Sequence, residues 1–520
     1  MTDFDKHNCP KCGDDCIRDS VDIGVGVQYG SWGCPSCGWS EDSEYDLSDG
    51  KDPVDEKGGA IDQYGSYHPP SSSMTLAYRL AKKFEKESLM NEFDNTGIKP
   101  MSVTATVSQS FPEANLTPSN NDLSQHNRAG QAGTSQSGSY WYSTAFSCWD
   151  DEEHEAIDRV LVSEQFTMGQ EVAAFEREFS DFHGMKHGIM VNSGSSANLI
   201  AVAALFNLPN KPLKRGMRAL VPALAWPTTY APLVQHGLEL MLADCDETWN
   251  AKLITNTYGI ELVVGCSILG NPAKLVEWKD FADSRRAYFI EDNCESLGSR
   301  MPTNDTNRFW KDRYGYCGTF GLMNTFSFFY SHQISAIEGG MILTNDDECW
   351  KLCMMLRNHG WSRGVTVPKS FDDEYDFRLF GYNVRPLEMH AAIARCQLKK
   401  LDRFKQQRLA NVGLFRRLTE GLPVTHQSLV GEPDPFGLAF TVRDNEARQR
   451  LAIAFRKAGI DCRPPTGGSF RLHRYSSEYV RNQKTPNADA IHRTGLFLGN
   501  GPLDLSEHIT KAVGVMKSVL

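Results

Sequence analysis

From about residue 140 to the C-terminus, the apolar positions switch repeatedly between two periods. Residues 152–165 (EEHEAIDRVLVSEQ) and 171–184 (EVAAFEREFSDFHG) place apolar side chains three and four apart, the spacing of one helix face. Between such segments stand short apolar runs: LVPALAW at 220–226, LELMLADCD at 238–246, LVVGCSILG at 262–270 and AYFIEDN at 287–293. These read as strands, and their alternation with helices predicts an α/β fold. Residues 318–345 add two further apolar runs, 325–330 and 341–344, around a turn carrying Ser331, His332, Gln333 and Ser335. Glu338, Gly339 and Gly340 close that turn, where paired glycines suit positive φ or close backbone approach.

The pattern fails before residue 140. Residues 41–75 are acidic and rich in Gly, Ser and Pro, as a linker is. Residues 76–93 have helical spacing, and 94–139 are polar with little to bury. At the start stand Cys9-Pro-Lys-Cys12-Gly13 and Cys34-Pro-Ser-Cys37-Gly38. Each Cys-x-x-Cys turn aims two thiolates at one ion, and four thiolates close a tetrahedral structural zinc site. Residues 21–33 between the pairs read as a β-ribbon. The expectation is therefore a zinc ribbon at 1–40 held by Cys9, Cys12, Cys34 and Cys37, then a linker at 41–139. Cys16 is left over as a plain turn residue.

Charge narrows the partners. The net charge is −11, and the ribbon is flanked by Asp3, Asp5, Asp14, Asp15, Asp19 and Asp22. Phosphate backbones are repelled by such surroundings, so nucleic acid is an unlikely partner. No stretch approaches the roughly 18 apolar residues of a membrane span, and the first residues have no signal-peptide character. A cytoplasmic protein with reduced thiols is expected.

The segment 318–345 resembles the cofactor-lysine segment of the DegT/DnrJ/EryC1/StrS sugar aminotransferases, pyridoxal-phosphate enzymes of fold type I. That family shows Ser-Phe, three residues, Lys, five residues and Glu-Gly-Gly. Here Ser327-Phe328 and Glu338-Gly339-Gly340 keep the frame, but His332 stands at the lysine position, and no lysine occurs between Lys311 and Lys351. The family's usual Schiff base cannot form without that amine. A histidine here marks the branch of sugar 3-dehydratases, which remove a hydroxyl from a nucleotide-linked 4-keto-6-deoxyhexose. The resemblance covers residues from about 140 onward. It implies a three-layer α/β/α large domain over 140–395, a small α+β domain over 396–520, and a homodimer whose subunits share active sites.

The resemblance also assigns residues. Asn192-Ser193-Gly194-Ser195-Ser196 opens an apolar helix after the strand-like GIMV, and a small-residue turn at a helix N-terminus suits a phosphate. Gly194, Ser195, Ser196 and Ser327 would hold the cofactor phosphate. Trp226 would stack on the pyridine ring, Asp292 would pair with its nitrogen, and Glu295 would approach its hydroxyl. Read without the family, Trp226 is a core tryptophan and Asp292 a helix cap. Asn383, in the segment GYNVRPLE at 381–388, would reach the other protomer's phosphate. Arg385 and Arg463 are candidates for the substrate. Gln333 replaces a second histidine of the dehydratase branch. The stretch 300–316, with Trp310, Arg313 and Tyr314, is longer than the family leads one to expect.

The implied chemistry is pyridoxamine-phosphate-dependent dehydration with His332 as general base, since imidazole titrates near neutrality. No two cysteines stand two apart, so the Cys-x-Cys of iron–sulfur members of the branch is missing and no cluster is expected. An amino donor, glutamate, would then regenerate the amine form of the cofactor. Two other readings stay open: a nucleotide-sugar aminotransferase with an unusual base, and an inactive zinc-ribbon adaptor.

Overall fold

A computed structural model describes residues 140–146, 148–303, 313–480 and 482–520, together with the backbone of four short strands nearer the N-terminus. Those four form two antiparallel pairs, Ser20–Asp22 with Val27–Tyr29 and Ala60–Ile61 with Tyr67–His68. The first pair lies where a ribbon is expected. The four ribbon cysteines, the helix expected at 76–93 and Trp310 lie outside the described residues. The account below concerns the unit that contains residues 140–520.

Seven strands make the main sheet: β1 (His187–Val191), β2 (Arg218–Pro222), β3 (Glu239–Ala243), β4 (Ile260–Cys266), β5 (Tyr288–Asp292), β6 (Met323–Ser327) and β7 (Gly340–Thr344). Their spatial order is β1-β7-β6-β5-β4-β2-β3. The strands from β6 to β3 pair in parallel, and β7 runs antiparallel to both its neighbours. The apolar runs are continuous because both sheet faces are covered. Period-two alternation divides them. Ile189, Val191, Ala219, Val221, Val264 and Ile342 join one core with α3 (Gly194–Phe206). Met190, Phe326 and Met341 face the opposite core with α2 (Gln170–His183). Nine of the thirteen α3 residues are buried, as a helix apolar all round requires. Two more helices cover the sheet, α5 (Leu275–Arg285) on the second side and α6 (Asp347–Arg357) on the first.

The strands of the 318–345 segment differ in register from the apolar pattern. β6 stops at Ser327 rather than continuing to Tyr330, because the Phe328 N–H turns to Gly339 O and its carbonyl takes the Ala336 N–H. The turn that follows is not a solvated one: Gln333, Ile334, Ser335 and Ala336 are all buried. Glycine is required at its close. A Cβ on Gly340 would lie 2.3 Å from Ser193 O and 2.7 Å from Gly194 N, so the turn packs directly under the start of α3.

Helix α7 (Glu388–Leu418) runs unbroken across the expected division at 395/396, spanning 31 residues. At its N-terminus it packs on α1 (Asp151–Ser163), where Lys400 Nζ lies 2.8 Å from buried Glu153. Further along, it carries Arg408, which forms a two-pronged ion pair with Asp434 at 2.6 and 2.7 Å, both side chains buried. A three-stranded antiparallel sheet follows: β8 (Val424–His426), β9 (Gly437–Val442) and β10 (Gly495–Gly499). Its own core includes Phe440, Leu451, Phe455 and Leu498, and Tyr142 from the start of the described chain is buried within it. At the two ends of the long stretch 300–316, Arg300–Pro302 pairs antiparallel with Tyr314–Tyr316. Among the described residues no helix is long and apolar enough to cross a membrane.

Candidate active site

In an open α/β sheet, ligands gather at the carboxyl ends of the strands. The C-terminal residue of β5 is Asp292, which is 3% exposed. Its Oδ2 accepts hydrogen bonds from Asn198 Nδ2 at 2.9 Å and Thr229 Oγ1 at 2.7 Å, and Oδ1 accepts from the Cys294 N–H at 3.1 Å. Asn198 in turn accepts from Thr325 Oγ1 at 2.6 Å, so α3, β5 and β6 are joined behind one carboxylate. Such a group is a hydrogen-bond acceptor, held by neutral donors, at the carboxyl end of the central strand.

Beside it lies the N-terminus of α3. Ser193 caps the helix, accepting the Ser196 N–H at 3.1 Å. Ser195 is exposed, and its hydroxyl donates to Thr228 at 3.0 Å. Gly194 is buried against β6: a Cβ there would come within 2.5 Å of Ser327 Cβ and 2.8 Å of Cys294 Sγ. Gly194, Ser195, Ser196 and Ser327 are therefore together, and the helix presents unpaired N–H groups beside them, which suits an anion. Trp226 precedes α4 (Pro227–Gln235), with its ring 54% exposed. It is not a core tryptophan.

His332 lies just past the end of β6, half-buried between Phe329 and Phe436, with ring centroids 5.8 and 5.4 Å away. Its Nδ1 is buried without a hydrogen-bond partner. Burial holds the imidazole pKa down to about 4, opposed by the Ser327 backbone and the Asp292 charge. The ring is thus neutral at neutral pH and a weaker base than the free imidazole expected from sequence, which titrates near neutrality. The side chain of Gln333 points elsewhere: its Nε2 donates to Glu295 O at 2.6 Å and Asp434 O at 3.1 Å. Gln333 therefore belongs to the buried Arg408–Asp434 network, whose Arg408 Nη1 also donates to Gln333 O at 3.2 Å.

The remaining candidates divide. Glu295 is buried, with Oε2 accepting from Leu269 N at 2.8 Å and Oε1 from Thr466 Oγ1 at 2.6 Å; burial pushes its carboxyl up to about 7. Asn383 is exposed in a segment tied to the base of β1, where Asn192 N donates to Val384 O at 3.0 Å. Arg385 contacts Asn358 Oδ1 at 3.3 Å. Arg463 is paired with Asp461 at 3.1 Å on the rim of the small sheet. Sequence reasoning missed Asn198, Thr228, Thr229 and Thr466. Asn198 alone had a visible signal, an amide in the middle of an otherwise apolar helix; the other three are plain threonines until the fold assembles them.

This geometry suits an anionic, planar, nitrogen-bearing cofactor: an anion cradle at a helix end, a buried carboxylate, an open aromatic face and an orphaned imidazole nitrogen. The chain belongs to the DegT/DnrJ/EryC1/StrS aminotransferase family, whose profile matches residues 147–517. Among its relatives is GDP-4-keto-6-deoxy-D-mannose 3-dehydratase of Yersinia pseudotuberculosis, 37% identical over 72% of this chain and 97% of that enzyme. The solved structure of the E. coli GDP-4-keto-6-deoxy-D-mannose-3-dehydratase with bound hydrated PLP aligns over 73% of this chain and 100% of its own. Its TM-score is 0.67 at 36% identity. A structure of GDP-4-keto-6-deoxymannose-3-dehydratase with a trapped PLP–glutamate geminal diamine aligns equally well, with a TM-score of 0.67 and 36% identity over 72% of this chain and 100% of that one.

Proposed function

We propose that the chain is a pyridoxal-phosphate/pyridoxamine-phosphate-dependent 3-dehydratase of a nucleotide-linked 4-keto-6-deoxyhexose, with glutamate as amino donor. GDP-4-keto-6-deoxy-D-mannose is the substrate to test first, as the relatives' names indicate. The observation that carries the reading is His332. An imidazole with an unpartnered buried Nδ1 stands where the family resemblance leads one to expect a lysine.

Asp292 would hold the cofactor's ring nitrogen, steadied by Asn198 and Thr229. Gly194, Ser195, Ser196 and Ser327 would take the phosphate, and Trp226 would lie against the ring. When bound, the amine form of this cofactor would supply the nitrogen for the 4-keto group and an electron-accepting ring through which the C3 hydroxyl could leave. His332 would accept on a ring nitrogen the proton released from the carbon that carries the cofactor's amine, and return it, its neutral form leaving a nitrogen lone pair open. An imidazole moves protons but cannot condense with a carbonyl as a lysine amine does. That difference favours dehydration over transfer of nitrogen to the sugar. The deciding experiment incubates the protein with pyridoxal phosphate, glutamate and a panel of GDP- and CDP-linked 4-keto-6-deoxysugars, and measures product mass. Loss of the C3 oxygen supports the reading; an aminated sugar, or no product from any member, overturns it.

Two further proposals concern assembly. A homodimer is supported by the exposed apolar side chains Val367, Phe371, Phe377 and Phe380 in the stretch leading to Asn383, which would reach the partner's phosphate cradle. A structural zinc at Cys9, Cys12, Cys34 and Cys37 is supported by their spacing alone; among the described residues there is no group of metal-ligating side chains. Removing residues 1–138 should abolish zinc binding and leave turnover unchanged. The cut must spare Trp141 and Tyr142, since Trp141 Nε1 donates to Ala458 O and the Tyr142 hydroxyl to Gly499 O. A shortened protein that folds but has lost turnover would make the zinc module part of catalysis.

A further inference from the structure

Leu269 and Thr466 both hold backbone φ in the left-handed region, at +53° and +37°. For β-branched Thr466 this is a genuine outlier. Such strain persists only where the surroundings over-determine the backbone, and it gathers at functional positions. The two residues come from distant parts of the chain, yet one carboxylate holds both. Glu295 Oε2 accepts the Leu269 N–H, and Oε1 accepts the Thr466 hydroxyl at 2.6 Å. The carbonyl of the same residue takes Gln333 Nε2, next to the base His332.

Beyond Thr466 the loop has no clearance from the Trp226 segment. A Cβ on Gly467 would lie 2.4 Å from Ala225 O and 3.1 Å from Trp226 Cα. Leu224 and Ser469 form a β-bridge, and Phe470 N donates to Ala223 O at 2.8 Å. Residues 464–469 therefore reach the candidate site from the small-sheet half and are pinned at both ends, by Glu295 and by the backbone around Trp226. The groups assigned to the phosphate and ring nitrogen all stand on the seven-stranded half or on α3. None of them bonds to Thr466.

We infer that Thr466 is a positioning residue for the nucleotide-sugar substrate: its hydroxyl, held by Glu295, sets residues 464–469 as the wall of the site beside Trp226. This rests on the nucleotide-sugar reading of the site. The test uses the full-length protein loaded with pyridoxal phosphate, as wild type, Thr466→Val and Thr466→Ser. Valine keeps the shape and the β-branch but not the hydroxyl; serine keeps the hydroxyl. Thr466→Val should raise the KM for the nucleotide sugar about tenfold, the scale of one lost hydrogen bond. The glutamate half-reaction, followed by cofactor absorbance, should stay within about twofold. Hydrogen exchange should quicken at the Gly468 and Phe470 amides, now bonded to Pro465 O and Ala223 O. Thr466→Ser should restore both. Unchanged exchange and KM in the valine variant, equal slowing of both half-reactions, or failure of serine to restore them would overturn the inference. If wild type turns over no nucleotide sugar, the functional reading falls, and exchange at these two amides decides the clamp by itself.

Discussion

The proposed reaction concentrates its proton transfer in a single side chain, His332. Its imidazole is kept neutral by burial, and its Nδ1 has no competing partner. His332→Asn preserves Asp292, Trp226 and the α3 cradle, so the cofactor should still bind with unaltered absorbance. Both half-reactions should slow by roughly 10²–10⁴-fold, the usual share of a general base. His332→Lys should allow a reducing agent to fix the cofactor covalently to the protein, which wild type does not, and should shift the product toward aminated sugar. A histidine that merely packs predicts near-normal turnover for the asparagine variant. Kinetics of the two half-reactions in His332→Asn distinguish the two, and wild-type rate in either half removes His332 as the base.

Among the elements, α2 shows how the scaffold behind the site responds to pH. His183 ends this helix in a cage of Phe179, Phe182, Tyr316 and Phe326, with Nδ1 2.9 Å from Phe179 O and Nε2 unpartnered. Burial holds its pKa down to about 4. An unfolded histidine titrates near 6.5, so between about pH 4 and 6.5 the unfolded chain binds more protons than the native one. The stability from this burial is complete above about pH 6.5 and is lost as pH falls toward 4, amounting to about 3 kcal/mol. His183→Phe removes this dependence. Denaturant unfolding at pH 7 and pH 4 should show the variant gaining about that much on wild type at the acid end. Parallel pH curves for the two proteins would show that the cage does not shift His183.

Across the whole molecule, the exposed apolar side chains near Asn383 are the feature that a single subunit leaves unexplained. Phe380 is fully exposed, and Phe371 is 83% exposed. Several large apolar side chains exposed in one stretch of chain point to an interaction face. Phe380→Glu should weaken self-association, shifting the mass seen by sedimentation from dimer toward monomer at micromolar concentration. Turnover per chain should then fall on dilution, because in the proposed dimer each phosphate cradle would lose an Asn383 from the other protomer. A variant that stays dimeric, or a monomer with full turnover, would place the interface and the shared site elsewhere.

Several features were legible in the residues alone because they depend on local order. The helix and strand periods follow from which positions must be buried, and the apolar runs of β2, β4 and β5 could be read because both faces of the sheet are covered. Asp292, the α3 turn and His332 were marked by the family resemblance rather than by periodicity, although each sits at an element boundary. The end of β6 and the buried turn after it were not, because the Gly340–Ser193 approach that forces them joins residues far apart in sequence. Nor could sequence show that Gln333 turns away from the site, that Arg463 is taken up by Asp461, or that Glu295 spans Leu269 and Thr466. Each of these is a choice of partner for a polar group. That choice depends on which donor the folded chain brings within about 3 Å, a distance no spacing along the chain contains.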